Sequence, residues 1–233
     1  PAAMVNGLRR RHDARPSQTQ GDDARMSTAA GQVSPFPTPE RRRRDRSAKR
    51  EAILDAALEL FLEQGYHRAT LNQVAERLNI TKPALYNYFS GKTEILFACW
   101  MAGFEDAAAA IARIEAGPGD GLARLRALIR AYGLLMTTPR GRCLIRFDDR
   151  DFTPEQRERI SACKRRVDAA FRGWIAAGIE DGSVRPCDPK MAAFALGGAL
   201  NWIGQWHRDD GPMSPEAVVE DFAQTLTRGL ASD

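Results

Sequence analysis

The sequence has few of the residues that usually hold metals or carry out nucleophilic catalysis. Its 233 residues include four cysteines and three histidines. The cysteines lie far apart, in none of the spacings that hold zinc, so we expect reduced thiols rather than a metal site. Asp148, Asp149 and Asp151 form an acidic cluster, but no calcium-binding loop pattern follows, and a polar loop is the simpler interpretation. We therefore predict neither a metal nor a cofactor.

Strand patterns and long apolar runs are also missing. Alternation of apolar and polar residues, which indicates half-buried strands, does not recur, and there are no internal repeats. No apolar run approaches the roughly 18 residues that a membrane helix needs, and no signal peptide is visible. We expect an all-α protein of about nine helices that is cytoplasmic and has no membrane partner.

Positive charge is concentrated in one part of the chain. The formal net charge is +4, and residues 1–46 hold ten arginines against five acidic residues. The remaining chain is close to neutral, which argues against a protein that coats nucleic acid along its whole surface. Because residues 1–46 lack apolar periodicity, we predict a disordered tail. Its last part, Arg41–Arg46, is either a solvated charge run or a basic arm that contacts DNA.

The segment Thr70–Lys92 has the pattern of two short helices separated by a tight turn. Apolar residues repeat at helical spacing from residue 71 to 78, and Thr70 with Gln73 matches a capping box. Asn79 suits the left-handed conformation that ends a helix, and Thr81 is placed to cap the next one. With a longer helix predicted over 47–64, this is a helix-turn-helix unit whose second helix is short enough to enter a DNA major groove.

This segment also resembles a known signature. Residues 47–95 are similar to the DNA-binding region of the TetR family of bacterial regulators, through Gly65-Tyr66, Thr70, Val74-Ala75, Ile80-Thr81, Leu85-Tyr86, Tyr88-Phe89 and Lys92. The resemblance implies a helix-turn-helix DNA-binding domain over 47–92. The residues that it places near phosphates are Thr70, Thr81, Lys82, Tyr86, Tyr88 and Lys92. The candidate base readers are Lys82, Pro83, Ala84 and Asn87.

Residues 93–233 carry apolar helical patterns too extensive for the small DNA-binding unit alone, which predicts a second core. The resemblance implies that this C-terminal helical bundle binds a ligand and forms a homodimer. The last two helices carry more apolar and glycine surface than the edge of a bundle should expose. The predicted dimer-interface residues are Leu196, Leu200, Trp202, Ile203, Val218 and Phe222.

Aromatic residues on inward helix faces predict an apolar effector cavity in this bundle. Arginines 140, 142 and 146 and the basic run 164–166 favour an amphipathic anion as the effector. The C-terminal sequence around 201–216 resembles a TetR branch that responds to acyl-CoA or hydrophobic acids. A neutral or cationic drug is the alternative. The predicted effector-binding residues are Trp100, Phe104, Tyr132, Arg146, Arg166, Phe171 and Trp174.

We therefore predict a ligand-responsive repressor that a small hydrophobic effector releases from a palindromic DNA operator. An all-helical enzyme is one alternative, and it would need a nucleophile–base pair or paired carboxylates. The histidines, His12, His67 and His207, have no evident catalytic partner in the sequence. An effector-independent DNA-binding protein is the other alternative, although it would not need a large neutral second core.

Overall fold

The computed structural model describes residues 39–231, which fold into nine α-helices. No named strand occurs in this range, where an isolated bridge pairs Val184 with Ala231. The prediction of an all-α fold with about nine helices is confirmed. The helices are α1 (Pro39–Gln64), α2 (Leu71–Arg77), α3 (Lys82–Tyr86), α4 (Lys92–Glu115), α5 (Gly121–Thr137), α6 (Pro139–Arg146), α7 (Pro154–Asp181), α8 (Pro189–Trp206) and α9 (Pro215–Arg228).

The first helix begins at Pro39, well before the predicted start at Ser47. The structure therefore corrects the last part of the predicted disordered tail, whereas residues 1–38 lie outside the described residues. Proline suits the first helical position because its missing N–H has no intrahelical acceptor there. Arginine is a good helix former, so Arg41–Arg46 extends α1 instead of ending it.

The capping predictions for the two short helices are confirmed. The Gln73 N–H donates to Thr70 Oγ1 at 3.3 Å, and the Thr70 N–H donates to Gln73 Oε1 at 2.9 Å. Asn79 has a φ of 51°, the left-handed conformation expected after α2. Thr81 Oγ1 accepts a hydrogen bond from the Ala84 N–H at 3.3 Å. These local bonds fix where α2 ends and α3 begins.

The α4 helix joins the helix-turn-helix unit to the bundle, since it packs against α1 as well as α5, α6 and α7. By length and composition it could cross a membrane, with a mean hydropathy of 1.5 over its most apolar window. The window contains Glu105 and Asp106, so it is not the uninterrupted apolar run whose absence the sequence analysis noted. Within the fold, 67% of that window is buried. Packing on two cores explains why this helix is apolar on so many sides.

The α5 helix lies at the centre of the bundle, in contact with α4, α6, α7, α8 and α9. Two glycines allow its neighbours to approach. A Cβ added at Gly121 would lie 2.1 Å from the backbone nitrogen of Gly178 in α7. A Cβ added at Gly141 in α6 would lie 1.9 Å from the carbonyl oxygen of Leu135. Any larger residue at either position would push α7 or α6 away from α5.

Candidate DNA-binding surface and effector cavity

The α3 helix and the residues on either side of it present most of the predicted DNA-contacting residues to solvent. Lys82, Pro83 and Asn87 are exposed, and Tyr86 is 48% exposed. Leu85, by contrast, is fully buried in the core of the unit. The side of α3 opposite Leu85 is therefore available for contact with another molecule. The remaining predicted residues of this surface are Thr70 and Thr81, which are exposed, and Ala84 and Tyr88, which are half-buried.

Lys92 is placed differently from the prediction. Its Nζ donates to the carbonyl oxygens of Tyr66 at 2.8 Å, His67 at 3.2 Å and Ala69 at 3.1 Å. Burial lowers the pKa of Lys92, against an opposing effect of Asp151. An ammonium group has three donors, and all three are directed at carbonyl oxygens. This geometry does not support the predicted phosphate contact. Lys92 instead stabilises the loop between α1 and α2.

The arginine-rich start of α1 lies beside the end of α3. Arg46 Nη2 donates to the carbonyl oxygen of Asn87 at 3.3 Å, and its guanidinium carbon lies 5.9 Å from the centroid of the Tyr88 ring. These contacts place the first turns of α1 at the same edge of the unit as α3. Contact of Arg41–Arg46 with DNA stays a prediction.

A cavity of about 360 Å³, which we call the inner cavity, lies between α4, α5, α7 and α8. It brings together three predicted effector-binding residues, Phe104, Tyr132 and Phe171. The rings of Tyr132 and Phe171 meet edge-on with centroids 5.7 Å apart, and the Tyr132 hydroxyl donates to Asn201 Oδ1 at 2.9 Å. Burial raises the pKa of Tyr132 to about 12. The hydroxyl therefore keeps its proton near neutral pH and stays a donor.

The polar residues of the inner cavity include two that the sequence analysis missed, Asp168 from α7 and Asn201 from α8. Lys164, the first residue of the basic run, also lines it. Its Nζ lies 3.7 Å from a carboxylate oxygen of Asp149, while Asp168 pairs with Arg172. The sequence did contain a signal for Lys164 and Asp168, because residues 164, 168 and 171 are spaced to share one face of a helix.

The other predicted effector-binding residues do not line the inner cavity. Trp100 is only 2% exposed and packs edge-on against Phe104, with centroids 6.3 Å apart. Trp174 is buried, and Arg166 is exposed on α7. Arg146 donates to the carbonyl oxygens of residues 204 and 205, at 2.8 and 3.0 Å. Trp100 and Trp174 thus lie in the core, Arg146 bonds within the fold and Arg166 lies at the surface. A part for them in effector binding stays a prediction.

The arginines of α6 already have partners within the fold. Arg140 Nη2 lies 2.7 Å from Glu51 Oε2, and the same side chain lies 3.6 Å from carboxylate oxygens of Asp55 and Asp106. Arg142 is buried, where it donates to the carbonyl oxygen of residue 137 and pairs with Asp209. The predicted anion-binding use of this cluster is not supported. Arg140 instead connects α6 with α1 and α4, at the junction of the DNA-binding unit and the bundle.

The α8 helix is apolar on two faces. Its inward face is 0–4% exposed and consists of Ala193, Leu196, Leu200 and Ile203. Its outward face is 42–63% exposed and consists of Met191, Phe194, Trp202 and Trp206, of which Phe194 also borders the inner cavity. A helix that is apolar all round is usually buried on all sides, so the outward face is a candidate interface.

The predicted dimer-interface residues are divided between these two faces. Only Trp202 lies on the outward face of α8, and it is 63% exposed. The prediction is corrected for the four residues that lie in the protomer's own core, where they have almost no area to offer a partner: Leu196, Leu200, Ile203 and Val218. Phe222 in α9 is half-buried.

Two family models match this chain. The model of bacterial regulatory proteins of the tetR family matches residues 53–99, and the model of a tetracyclin repressor-like C-terminal domain matches residues 118–230. The chain belongs to the TetR family. It is a DNA-binding transcriptional regulator of helix-turn-helix type. The first match covers the C-terminal part of α1, α2, α3 and the start of α4, and the second covers α5 to α9. The predicted family is confirmed, and the families matched are regulators rather than enzymes.

Individual TetR-family relatives cover most of the chain. The transcriptional activator FasR of Mycolicibacterium smegmatis is 25% identical over 80% of this chain and 84% of its own length. The transcriptional repressor KstR2 of Rhodococcus jostii is 24% identical over 80% of this chain and 93% of its own. The structure of AibR in complex with isovaleryl coenzyme A and operator DNA superposes with a TM-score of 0.68, at 26% identity, over 76% of this chain and 97% of that one.

Proposed function

We propose that this TetR-family regulator is a homodimer that binds a palindromic operator and releases it when a small hydrophobic anion enters the inner cavity. The observation that carries the proposal is the inner cavity itself, which combines aromatic walls with one lysine at its polar side. Such a regulator acts in the bacterial cytoplasm, where its operator lies. Release by a ligand corresponds to repression, the role of KstR2, whereas FasR is an activator.

On the operator, the exposed side of α3 enters the major groove. Asn87 can bond adenine with both atoms of its amide, Lys82 can bond guanine, and Pro83 with Ala84 can contact a thymine methyl group. Thr70, Thr81, Tyr86 and Tyr88 take the phosphates on either side. The arginines at the start of α1 add further phosphate contacts, because Arg46 already lies against the end of α3.

The DNA contacts can be separated by two substitutions. Tyr86→Phe should weaken binding to all operator variants about equally, because it removes a phosphate contact. Asn87→Ala should relax the preference at one base position, by about 1–3 kcal/mol. Fluorescence anisotropy with a panel of single-base operator variants measures both. A change of base preference in Tyr86→Phe would show that its role has been misassigned.

The homodimer forms through the outward face of α8. Gly198 is exposed on this face, and a Cβ added there would meet no atom of its own chain within 4 Å, so a second helix can approach closely. A two-fold dimer holds its two α3 helices about one DNA turn apart, roughly 34–36 Å, and this spacing requires a palindromic operator.

Sedimentation at micromolar concentration tests the dimer. The wild-type chain should sediment as a dimer, and Trp202→Glu should sediment as a monomer because a charge is desolvated at the interface. Ile80→Glu is the matched control, since Ile80 is an exposed apolar residue, 37% accessible, in the turn before α3. This control should remain dimeric. A monomeric wild-type protein would overturn the proposal.

The effector binds with its anionic group near Lys164 and its apolar part among Phe104, Tyr132 and Phe171. Asp168 is already paired with Arg172, and an anionic effector takes the place of Asp149, which lies 3.7 Å from Lys164 Nζ, as the partner of Lys164. An acyl-CoA or a hydrophobic acid has the required chemistry, and the AibR complex with isovaleryl coenzyme A supports this class. To change the ratio of DNA-binding to released conformations from 99:1 to 1:99, the effector must bind the released conformation more tightly by about 5.5 kcal/mol.

Titration of the operator complex with isovaleryl-CoA, octanoyl-CoA, their free acids and a cationic hydrophobe tests this class. Lys164→Met should weaken the response to the acids and thioesters by about tenfold or more, because a charge-assisted hydrogen bond is lost. Arg165→Met is the matched control, because Arg165 is exposed on the same helix and pairs with Glu158. Release by the cationic compound alone would contradict the anionic effector.

A further inference from the structure

A second cavity, which we call the outer cavity, lies between α4 and α5 and has a volume of about 680 Å³. Asp106, Arg113 and Arg130 are the charged residues among its lining. Most of its walls are aliphatic side chains, which suit an alkyl chain better than a polar group. They include Ala107, Ala110, Ile111, Ala127, Ala131 and Leu135.

Tyr132 lines both cavities. It is the residue that the two linings share, so its side chain lies where one cavity adjoins the other. The contacts that hold this side chain come from the inner side. They include the hydrogen bond to Asn201 in α8, at 2.9 Å, and the edge-on contact with Phe171 in α7. A rotation of χ1 that breaks these two contacts would move the ring out of the boundary.

We infer that Tyr132 is a gate that sets the length of the acyl chain accepted by this regulator. A short chain fits in the inner cavity with the gate closed. A longer chain displaces the Tyr132 ring and continues into the outer cavity, while its anionic group stays near Lys164. The ligand class is thus a long-chain acyl thioester or fatty acid. This inference rests on the proposed function, because it assumes that the inner cavity holds the effector.

The energetics favour such a gate. Opening it breaks one neutral hydrogen bond, one ring contact and part of the packing of Tyr132 against the core. In return, each further methylene group that enters the outer cavity leaves water. Two buried methylene groups contribute up to about tenfold in affinity. For a chain that reaches well into the outer cavity, the burial of methylene groups therefore more than offsets the free-energy cost of opening the gate. For a chain that barely reaches Tyr132 it does not.

Calorimetric titration with butyryl-, octanoyl-, dodecanoyl- and hexadecanoyl-CoA tests the gate on the full-length protein. In Tyr132→Ala the ratio of dodecanoyl- to butyryl-CoA affinity should rise by about tenfold or more over wild type, because no ring has to move. Ala131→Phe, which fills the outer cavity, should lower that ratio and leave butyryl-CoA binding unchanged. Opposite shifts in these two variants are not expected from a general loss of stability.

Tyr132→Phe provides a milder test if Tyr132→Ala folds poorly. It keeps the ring and removes only the bond to Asn201, so the same affinity ratio should rise by about threefold to tenfold. A chain-length profile that is identical in wild type and both Tyr132 variants, with butyryl-CoA still bound, would overturn the gate alone. No binding of any acyl-CoA to the wild-type protein would overturn the effector class and the gate with it.

Discussion

The helix-turn-helix unit and the helical bundle differ in how completely side chains fill their interiors and in how many buried polar groups have hydrogen-bond partners. In the unit, Phe61 and Leu85 are fully buried, and polar groups such as Lys92 Nζ are paired with backbone carbonyls. In the described residues, five buried side-chain nitrogens lack a hydrogen-bond partner, and all of them belong to residues between 100 and 207. The inner and outer cavities lie in the same part of the chain. The unit is thus built to hold a fixed shape, and the bundle is built to adapt to a ligand.

The largest expected effect on stability comes from creating a cavity in the core of the helix-turn-helix unit. Phe61 is fully buried and meets the rings of Tyr66 and Phe147 edge-on, with centroids 5.4 and 6.4 Å apart. Phe61→Ala should lower the free energy of unfolding by about 3–5 kcal/mol, measured by urea denaturation. Phe171→Ala should cost less, because one side of Phe171 borders the inner cavity instead of packed side chains. Equal costs for the two variants would contradict the difference between the regions.

A smaller effect is expected from removing a polar contact of the unit. Lys92→Met leaves three carbonyl oxygens without their donor and should destabilise the protein by about 1–3 kcal/mol. The exposed Lys82 gives the matched variant, and Lys82→Met should change stability by less than about 0.5 kcal/mol.

The salt dependence of operator affinity separates the two lysines further. Lys82→Met removes an exposed cation from the DNA-facing surface and should reduce the log–log slope by up to about 0.9. Lys92→Met should leave the slope unchanged, because its ammonium is directed into the unit. An equal reduction in both variants would restore Lys92 as a phosphate contact and would show that its carbonyl bonds open on DNA.

The same difference explains which features could be predicted from the sequence. The helix-turn-helix signals are local, since Thr70 and Gln73 are three residues apart and Asn79 ends the helix that they begin. The inner cavity draws on four helices, from Phe104 to Asn201, and no local pattern shows that these residues meet. In α8 both faces are apolar, so periodicity could not show which face is buried.

The start of α1 shows a different limit. The composition of residues 1–46 predicted disorder, because this part of the chain has little apolar surface to bury. Residues 39–46 nevertheless continue α1, since a helix that is already formed can be extended by good helix formers without a further nucleation step. Composition alone does not reveal that a stable helix begins next to such a segment.

The smallest expected effect concerns the pH dependence of stability, which tests a buried polar group of the bundle that has no hydrogen-bond partner. His207 is 2% exposed, and neither of its ring nitrogens has a hydrogen-bond partner within residues 39–231. Burial lowers the pKa of His207, Arg142 lowers it further, and Asp209, whose carboxylate oxygen lies 4.0 Å from Nδ1, opposes the shift. An unfolded chain binds the proton at a pKa of about 6.5. The contribution of His207 to stability is therefore fully present above that pH and is lost as the pH falls below it, because the unfolded chain is protonated first.

His207→Gln should consequently lose less stability than wild type when the pH is lowered from about 7.5 to about 5.5, as measured by urea denaturation at each pH. The matched control is His67→Gln, because the His67 side chain is 83% exposed beside the helix-turn-helix unit. A wild-type acid slope that His207→Gln leaves unchanged would mean that the folded bundle accommodates the proton on His207. Polar groups at the end of α8 would then be satisfied to the same degree as those of the DNA-binding unit. The difference between the two regions would be limited to their cavities.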